Sequence, residues 1–416
     1  MYIDSIKIRN FRVFERVDAE FLHPQRNFEE MEIPTPKLPN VNLLLGNNGA
    51  GKTSMLKSIA ISCLGPAAQD ASLPIYRLIR RVGASAAKAA PIEATIEAQF
   101  TPHAQDLVPT GLGSTIESAT AIMRPGGSDE LERPEWRHPD EKSWHPIYQS
   151  SNQAFFFVGY SANRTVQKPE RYDEGARQVS SFRRAQRIRS LFDESYPLVP
   201  MASWLSAYRT GNPGRFKQVK DLMNKLLLDT GYRFSGEEEN GEFLFSRGAL
   251  NVPFPALSDG FRAFIGWVSD MLYHVCQTCP SGAKLVDNHG IVMVDEIDLH
   301  LHPKWQLTVL PSLSRAFPNI QFIVTSHSPL VVGSLEWMNI LLMDFADGRT
   351  KAERVDWAVH GLDADQILLS DFFGMDSTRA EGRMGELKRL SRRAREGDTE
   401  AAEELLTKLS EGSEAS

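Results

Sequence analysis

Cysteine is scarce in this chain of 416 residues, which contains three cysteines: Cys63, Cys276 and Cys279. Three cysteines cannot build the dense disulfide framework of a small secreted domain, and they fit a reducing cytoplasm. The pair Cys276 and Cys279 has the spacing of half a zinc site. No second cysteine pair is present to complete that site, so the pair does not predict zinc binding.

Long apolar runs are also missing. No stretch approaches the roughly 18 apolar residues that a membrane-spanning helix requires. The N-terminus is strand-like and lacks the apolar segment of a signal peptide. We therefore expect no membrane association and a cytoplasmic location.

An excess of basic residues is absent too, because 46 Lys and Arg stand against 53 Asp and Glu, a net charge of −7. This charge argues against a globally basic nucleic-acid-binding protein, although it allows a local basic patch. No long heptad pattern is present, which excludes a coiled-coil arm. The hydrophobic content of 42% predicts a sizeable core in one large domain or two.

A complete phosphate-binding loop of the form G-x-x-x-x-G-K-[ST] is present. It comprises Gly46, Asn47, Asn48, Gly49, Ala50, Gly51, Lys52 and Thr53, followed by Ser54. An apolar run at 41–45 precedes it and a helical pattern at 51–64 follows it, which is the context this loop requires. Its backbone N–H groups and the helix N-terminus can bind phosphate oxygens. We expect Lys52 to contact the β- and γ-phosphates of ATP and Thr53 to ligate Mg²⁺.

A second buried strand, at 290–294, ends on the acid pair Asp295 and Glu296. An aspartate in this position can hold Mg²⁺, usually through water. The adjacent glutamate can act as the general base that polarises the attacking water. His300 and His302 follow, and a metal site at these two histidines is an alternative, although no third ligand lies at suitable spacing.

Two further patterns are weaker evidence than the phosphate loop and the acid pair. Ser258, Asp259 and Gly260 precede an apolar-periodic run at 261–275, so they begin a helix whose N-terminus can bind an anion. His327 follows a strand-like run at 320–324. Alone, each pattern is an ordinary structural feature. Their order relative to the phosphate loop and the acid pair favours a second phosphate-binding element and a residue that senses the γ-phosphate. Together the four blocks predict ATP binding and hydrolysis.

The four blocks, in this order, resemble the ATP-binding head of the ABC ATPase superfamily, in the branch of SMC, RecF and the overcoming-lysogenization-defect proteins. Leu257–Gly260 matches the family signature, Asp295–Glu296 its acid pair and His327 its switch histidine. The run Asp298–Pro303 is similar to a variant found in ATPases of bacterial defence operons, such as the Septu ATPase. The resemblance spans roughly residues 1–345.

The resemblance also extends to the N-terminal strand, and it has two departures. Ile8–Arg12 is similar to the first strand segment of these heads, which implies that Arg12 lies near the nucleotide. The family's glutamine-bearing loop does not stand out: Gln99 and Gln153 are candidates, and residues 160–164 fall roughly where that loop belongs. His302 stands where many relatives carry an aspartate that crosses to the partner subunit.

The predicted fold class is α/β: a P-loop ABC ATPase head with a mixed sheet, an antiparallel β layer, a helical lid and a C-terminal helical tail. The head is expected at 1–345, with the helical lid inserted at 166–256, and the tail at 346–416. The antiparallel layer is predicted from three strand-like runs, at 92–100, 115–124 and 154–160.

Two surface features have two interpretations each. Four arginines between 183 and 189 form a basic helix face, which is either solvated or in contact with a nucleic-acid backbone. They are Arg183, Arg184, Arg187 and Arg189. In the tail, Leu405, Leu406 and Leu409 share one helix face, which either packs on the head or docks a partner.

The resemblance implies a homodimer or higher homo-oligomer, with each ATP between 46–54 of one subunit and 258–260 of the other. No nuclease motif is recognisable. The nuclease domains of overcoming-lysogenization-defect proteins carry an acidic Asp-x-Asp pair, but the pair in this tail, Asp363-Ala364-Asp365, is typical of a helix cap. We therefore expect a separate effector protein, a nuclease of anti-phage defence. The alternative is a RecF-like ATPase of DNA repair or recombination that binds nucleic acid itself. A transporter subunit fits less well, because such subunits are shorter and lack this insert and tail.

Overall fold

The structure is a computed structural model of the chain. It describes residues 1–68, 71, 73, 78–81, 93–103, 106, 116–123, 133–137, 156–166, 183–346, 349–370, 372–373, 375, 377–378, 387, 390–395 and 398–410.

The described elements include both strands and helices. The strands are β1 (Tyr2–Phe11), β2 (Phe14–Glu20), β3 (Val41–Leu45), β4 (Glu93–Thr101), β5 (Ile116–Met123), β6 (Arg133–Arg137), β7 (Phe157–Tyr160), β8 (Arg233–Glu239), β9 (Glu242–Arg247), β10 (Leu250–Pro253), β11 (Gly290–Val294), β12 (Ile320–Thr325), β13 (Ile340–Ala346) and β14 (Arg349–Glu353). The helices are α1 (Lys52–Leu64), α2 (Arg183–Phe192), α3 (Met201–Gly211), α4 (Pro213–Leu226), α5 (Asp259–Thr278), α6 (Pro303–Gln306), α7 (Val309–Ala316), α8 (Pro329–Gly333), α9 (Ala364–Leu368) and α10 (Thr399–Ser410). None of these helices is both long and apolar enough to cross a bilayer.

The central sheet has six strands in the order β14-β13-β3-β12-β11-β7. Five of them are mutually parallel, and β14 runs antiparallel to β13. Every residue of β3, β11 and β12 is buried, as expected of parallel strands that are covered on both faces. The carboxyl ends of parallel strands lie at one edge, so the segments that follow β3, β7, β11 and β12 meet there.

A second sheet is antiparallel, in the order β2-β1-β4-β5-β6. This sheet, α1 and the central sheet contribute to one buried core. Its members include Ile6, Ile8, Ile96, Met55, Ile59, Ile291 and Ile323. Most of α1 is buried, because its sequence is apolar on several sides. The core therefore fixes α1, and with it the phosphate loop. The predicted α/β class is confirmed.

One of the three runs predicted for the antiparallel layer belongs to the central sheet instead. The runs at 92–100 and 115–124 contain β4 and β5, which pair antiparallel. The described part of 154–160 forms β7, which pairs in parallel with β11. All four residues of β7 are buried. Burial on both faces is typical of a strand in a parallel sheet, so the prediction was wrong for this run.

Within the lid predicted at 166–256, the described residues form α-helices only between 183 and 226. Residues 167–182 lie outside the described part of the chain, and α2, α3 and α4 follow. Residues 233–253 instead form a three-stranded antiparallel sheet, β10-β9-β8. A two-residue turn, Asn240–Gly241, joins β8 to β9, and both residues have positive φ, 52° and 80°. Asn-Gly between two apolar runs is a strong hairpin signal, which the helical prediction overlooked.

The chain forms two compact units, residues 1–361 and 362–416. The first unit extends past the predicted boundary at 345, because β14 pairs with β13 in the central sheet. In the second unit, Asp363 caps α9 through a reciprocal capping box with Gln366. Leu405, Leu406 and Leu409 lie on α10, and their role in docking stays a prediction.

Candidate active site

The phosphate loop joins the end of β3 to the start of α1. Gly51 precedes α1 in the left-handed region, with a φ of 102°. A Cβ on Gly51 would lie 2.4 Å from Cε1 of Phe14 and 2.7 Å from Cγ2 of Val13. Both the backbone conformation and the lack of space therefore require glycine here. The turn between β1 and β2 packs directly against the loop.

The same turn carries Arg12, which has a φ of 49° and whose N–H donates to the carbonyl of Leu78 at 2.7 Å. The pKa of Lys57 on α1 is lowered, first by burial and then by the charge of Arg12. Arg12 is thus electrostatically coupled to the helix that follows the phosphate loop. Its contact with a nucleotide stays a prediction.

Lys52, the first residue of α1, folds back onto the loop. Its Nζ donates to the carbonyls of Gly46 at 2.7 Å and Asn47 at 3.2 Å. Burial lowers the pKa of Lys52, while the carboxylates of Asp295, Glu296 and Asp298 act in the opposite direction. The ammonium group therefore contacts two loop carbonyls and interacts electrostatically with three acids.

The carboxylate of Asp295 connects the phosphate loop to the central sheet. Asp295 follows β11 and is 6% exposed. Its Oδ2 accepts a hydrogen bond from Thr53 Oγ1 at 2.7 Å, and its Oδ1 accepts one from Thr325 Oγ1 at 2.6 Å. A hydroxyl and a carboxylate are the hard oxygen ligands that Mg²⁺ prefers. The chemistry of Thr53 and Asp295 therefore fits a magnesium ion.

Glu296 adopts a strained backbone conformation. Its φ is 48°, a value that non-glycine residues rarely adopt and that costs about 1–3 kcal/mol. Its amide donates to Thr325 Oγ1 at 2.7 Å. Its carbonyl accepts from Nη2 of Arg164 at 3.0 Å. Residues from two other segments thus hold the backbone of the predicted general base.

Arg164 and Asp298 belong to this site, and sequence reasoning assigned a role to neither. Arg164 is buried after β7, and its Nη1 donates to the carbonyls of Asp295 at 2.5 Å and Ser161 at 3.2 Å. Asp298 affects the pKa values of Lys52, Arg164 and His327, and its Oδ1 is buried without a hydrogen-bond partner among the described residues. The acidic pattern Asp295-Glu296-x-Asp298 could have indicated that Asp298 belongs to the site.

The signature residues lie at the N-terminus of α5. Ser258 and Asp259 are exposed, and the Ser258 hydroxyl does not cap its own helix. Gly260 is in close contact with the segment that follows the acid pair, since a Cβ there would lie 2.1 Å from the carbonyl oxygen of His300. A cavity of about 410 Å³ lies beside them, lined by Asn163, Arg164, Asp259, Leu299 and His300 among others.

His327 follows β12 at the surface of the site. Partial desolvation lowers its pKa, and the charge of Lys52 lowers it further. The carboxylates of Asp298, Glu296 and Asp295 oppose both effects. The imidazole is therefore coupled to Lys52 and to the acid pair, and it favours the neutral form at pH 7.

Three other candidates from the sequence lie elsewhere or make other contacts. Gln99 lies in β4, where it accepts a hydrogen bond from Ser5 Oγ, and Gln153 lies outside the described residues. His302 caps α6 by accepting from the amide of Lys304. The described residues contain no cluster of three or more metal-binding His, Cys, Asp or Glu side chains.

Two arginines of α2 lie over aromatic rings of the protein itself. Arg187 lies over the ring of Phe156 at 6.0 Å, and Arg189 lies over the ring of Tyr196 at 5.4 Å. Both side chains are half-buried. The interpretation of this helix face as a nucleic-acid contact gains no support from these contacts.

A phosphate loop between a buried strand and a helix, with an acid pair at the end of another strand of the same parallel sheet, defines the class of P-loop ATPase domains. A family model described as "AAA domain, putative AbiEii toxin, Type IV TA system" matches residues 41–333, which is more than half of the chain. The chain belongs to this family. The matched span contains the phosphate loop, the signature, the acid pair and His327.

The chain is similar to several known proteins. It is 24% identical over 380 residues to "Septu protein PtuA" of Bacillus mycoides (strain KBAB4), which is 91% of this chain and 45% of that protein. It is 31% identical over 153 residues to "Retron Ec83 probable ATPase" of Escherichia coli, which is 37% of this chain and 28% of that protein. These alignments span less than half the length of either relative. The predicted resemblance to the Septu ATPase is confirmed.

Among solved structures, the chain is similar to the SMC head bound to the C-winged helix domain of ScpA. The TM-score is 0.49 at 15% sequence identity, and the match covers 85% of this chain and 98% of that one.

The contact between Gly260 and His300 predicts a local effect of a methyl group. Gly260→Ala should destabilise the protein by roughly 1–3 kcal/mol, the usual cost of overpacking, because the new Cβ overlaps a backbone carbonyl. Gly214→Ala is a matched control, since Gly214 is also the second residue of a helix and its Cβ would have only one atom within 4 Å, at 3.7 Å. Urea unfolding measures both. Equal stability of the two variants would contradict the contact.

Proposed function

We propose that the chain binds ATP with Mg²⁺ at the phosphate loop and hydrolyses it. One observation carries this proposal: the Asp295 carboxylate accepts hydrogen bonds from both Thr53 and Thr325. This arrangement brings the predicted magnesium ligands together, beside Lys52 and Glu296. The family match supports an ATPase, because it covers the residues of this site.

Each residue of the phosphate loop has a defined task in this proposal. The backbone N–H groups of Gly46 to Ser54 bind phosphate oxygens, with the N-terminus of α1 adding its positive dipole end. Lys52 exchanges its bonds to the carbonyls of Gly46 and Asn47 for bonds to the β- and γ-phosphates. Thr53 and Asp295 would hold Mg²⁺, which supplies charge neutralisation on the phosphate oxygens.

Glu296 is the general base in this proposal. Its carboxylate takes a proton from water as the water oxygen attacks the γ-phosphorus. The bond from that phosphorus to the bridging oxygen breaks, which gives ADP and phosphate. His327, held near Lys52 and the acid pair, contributes a hydrogen bond to the γ-phosphate. The shared electrostatic environment of His327 and Lys52 supports this assignment.

We further propose that two chains bind ATP between them, head to head. The exposure of Ser258 and Asp259 supports this, because their helix end is accessible to a second subunit. In such a homodimer or higher homo-oligomer, Ser258, Asp259 and Gly260 of one chain bind the γ-phosphate that the other chain's loop holds. Closing on ATP and opening after hydrolysis would pass motion to a partner.

The partner in this proposal is a separate effector protein, a nuclease of anti-phage defence. The similarity to a Septu protein and to a retron ATPase supports a defence role. The three cysteines are free and buried, which fits the cytoplasmic location expected from the sequence. The alternative remains a RecF-like ATPase that binds DNA directly.

Binding to duplex DNA separates these two alternatives. A RecF-like protein should bind DNA with an affinity that falls steeply as salt rises, because phosphate contacts release counterions. The effector proposal predicts weak DNA binding by the chain alone, measured by fluorescence anisotropy at two salt concentrations. Tight and salt-dependent binding of the isolated chain would favour the alternative.

Glu296→Gln tests the general base. The variant should bind ATP with near-normal affinity, since the amide keeps the size of the side chain, and turnover should fall by about 10²–10⁴-fold. Calorimetry gives the affinity, and phosphate release gives the rate. Glu353→Gln, in edge strand β14, is a control that should keep normal turnover. Comparable turnover in Glu296→Gln and the control would remove Glu296 from the mechanism.

Mixed subunits test the shared site. Lys52→Ala should lose at least about 30-fold in ATP affinity, the lower end of the cost of truncating one partner of a buried charge pair. Ser258→Arg should keep monomer ATP binding yet block closure. A mixed dimer has one site with both changes and one site with neither. Mixing the two inactive variants should therefore restore part of the ATPase activity, up to about half per mixed dimer if the sites are independent.

Two results would contradict the shared site. One is loss of ATP binding by the Ser258→Arg monomer. The other is a mixture that forms mixed dimers but recovers no activity.

A further inference from the structure

We propose that Arg164 and Thr325 are positioning residues that together set the direction in which the Glu296 side chain points. We call this pair the Glu296 clamp. The inference rests on the proposed function, in which Glu296 is the general base. Neither residue touches the reacting atoms in that proposal. The sequence predicted no catalytic role for either of them.

The peptide plane before Glu296 is held at both of its polar atoms. The carbonyl oxygen of Asp295 accepts from Arg164 Nη1 at 2.5 Å. The N–H of Glu296 donates to Thr325 Oγ1 at 2.7 Å. This plane therefore has no freedom to rotate without breaking a hydrogen bond to a buried partner.

The peptide plane after Glu296 is held by the same two residues and by the N–H of Leu299, which donates to the Glu296 carbonyl oxygen at 3.1 Å. The carbonyl oxygen of Glu296 accepts from Arg164 Nη2 at 3.0 Å. The N–H of Ile297 donates to the carbonyl oxygen of Thr325 at 2.9 Å. All four polar backbone groups around Glu296 are thus bonded to Arg164 or Thr325.

Fixing both planes fixes the φ and ψ angles of the residue between them, and hence the direction of its Cα–Cβ bond. The φ of Glu296 is 48°, which L-residues other than glycine adopt rarely because of steric strain. Such a conformation persists only where the surroundings determine it. Without the clamp, the backbone would relax toward negative φ and carry the carboxylate away from its position.

The two clamp residues come from opposite sides of the acid pair. Thr325 is the last residue of β12, and Arg164 follows β7. These are the two strands that flank β11 in the central sheet. A guanidinium suits this task because its planar fork can donate to two carbonyls at once, which an ammonium cannot do with the same geometry. Arg164 is 9% exposed, so its donors serve these carbonyls rather than solvent.

Arg164→Lys is the primary test, because it keeps the charge but loses the fork. We expect turnover to fall by about 10–100-fold, since a misplacement of about 1 Å can cost about 10²-fold. The ATP dissociation constant should stay within about threefold of the wild-type value, because the loop, Lys52 and Thr53 are unchanged. Phosphate release and calorimetry measure the two quantities.

Arg215→Lys is the matched control. Arg215 is also 9% exposed, and its guanidinium also donates to two backbone carbonyls, those of Cys279 and Pro280, in a different part of the unit. Both variants should lower the thermal unfolding temperature. Only Arg164→Lys should lower turnover, which separates positioning of Glu296 from a general loss of stability.

A double-mutant cycle gives the decisive result. If Arg164 acts through Glu296, then adding Arg164→Lys to Glu296→Gln should lower turnover by less than threefold further, because the carboxylate it positions is already gone. The same fold loss in both backgrounds would overturn the clamp, and so would wild-type turnover in Arg164→Lys. Should Arg164→Lys fail to fold, Arg164→Gln enters the same cycle, since its amide is uncharged and can no longer donate to both carbonyls as the guanidinium does.

Failure of the clamp and failure of the proposed function give different results. Normal turnover in Glu296→Gln alone removes the general base, and the clamp with it. A large loss in Glu296→Gln, combined with an equal further loss on adding Arg164→Lys, leaves the base in place and overturns the clamp alone.

Discussion

The buried carboxylate of Asp295 holds the site together. It accepts hydrogen bonds from Thr53, the second residue of α1, and from Thr325, the last residue of the neighbouring strand β12. Hydrogen bonds to charged groups contribute about 1.5–3 kcal/mol each, and an unsatisfied buried carboxylate would cost more than either bond provides. Asp295 therefore joins the segments that follow three adjacent strands, β3, β12 and β11. The residues predicted to bind the nucleotide lie in these segments.

Other parts of the first unit hold the segments around Asp295 in place. The shared core fixes α1 between the central and antiparallel sheets, and the β1–β2 turn closes on Gly51. On the other side, Tyr160 at the end of β7 accepts from the amide of Asp295 through its carbonyl and donates its hydroxyl to Asp270 of α5. The helix that begins with the signature is thus joined to the acid pair by buried hydrogen bonds within one subunit.

Much of the fold and of the site follows from local sequence. The phosphate loop and the acid pair are predictable because each motif sits at the end of an apolar run, and parallel strands bring such ends to one edge. Arg164 and Thr325 are not predictable in the same way. They form hydrogen bonds with backbone atoms of a segment that is distant in the sequence. No motif or residue spacing predicts such a contact. The Asn240–Gly241 hairpin is a different case. The Asn-Gly pair predicts a hairpin turn, but the helical pattern of the preceding residues was extended across it.

A structure of the chain with a slowly hydrolysed ATP analogue and Mg²⁺ tests the central claim most directly. The account predicts a triphosphate on residues 46–54, with Mg²⁺ held by Thr53 and Asp295 and with Lys52 Nζ moved from the carbonyls of Gly46 and Asn47 to phosphate oxygens. It also predicts Ser258 of a second subunit at the γ-phosphate. A triphosphate bound away from the loop, or contacted by Ser258 of the same subunit, would contradict the account.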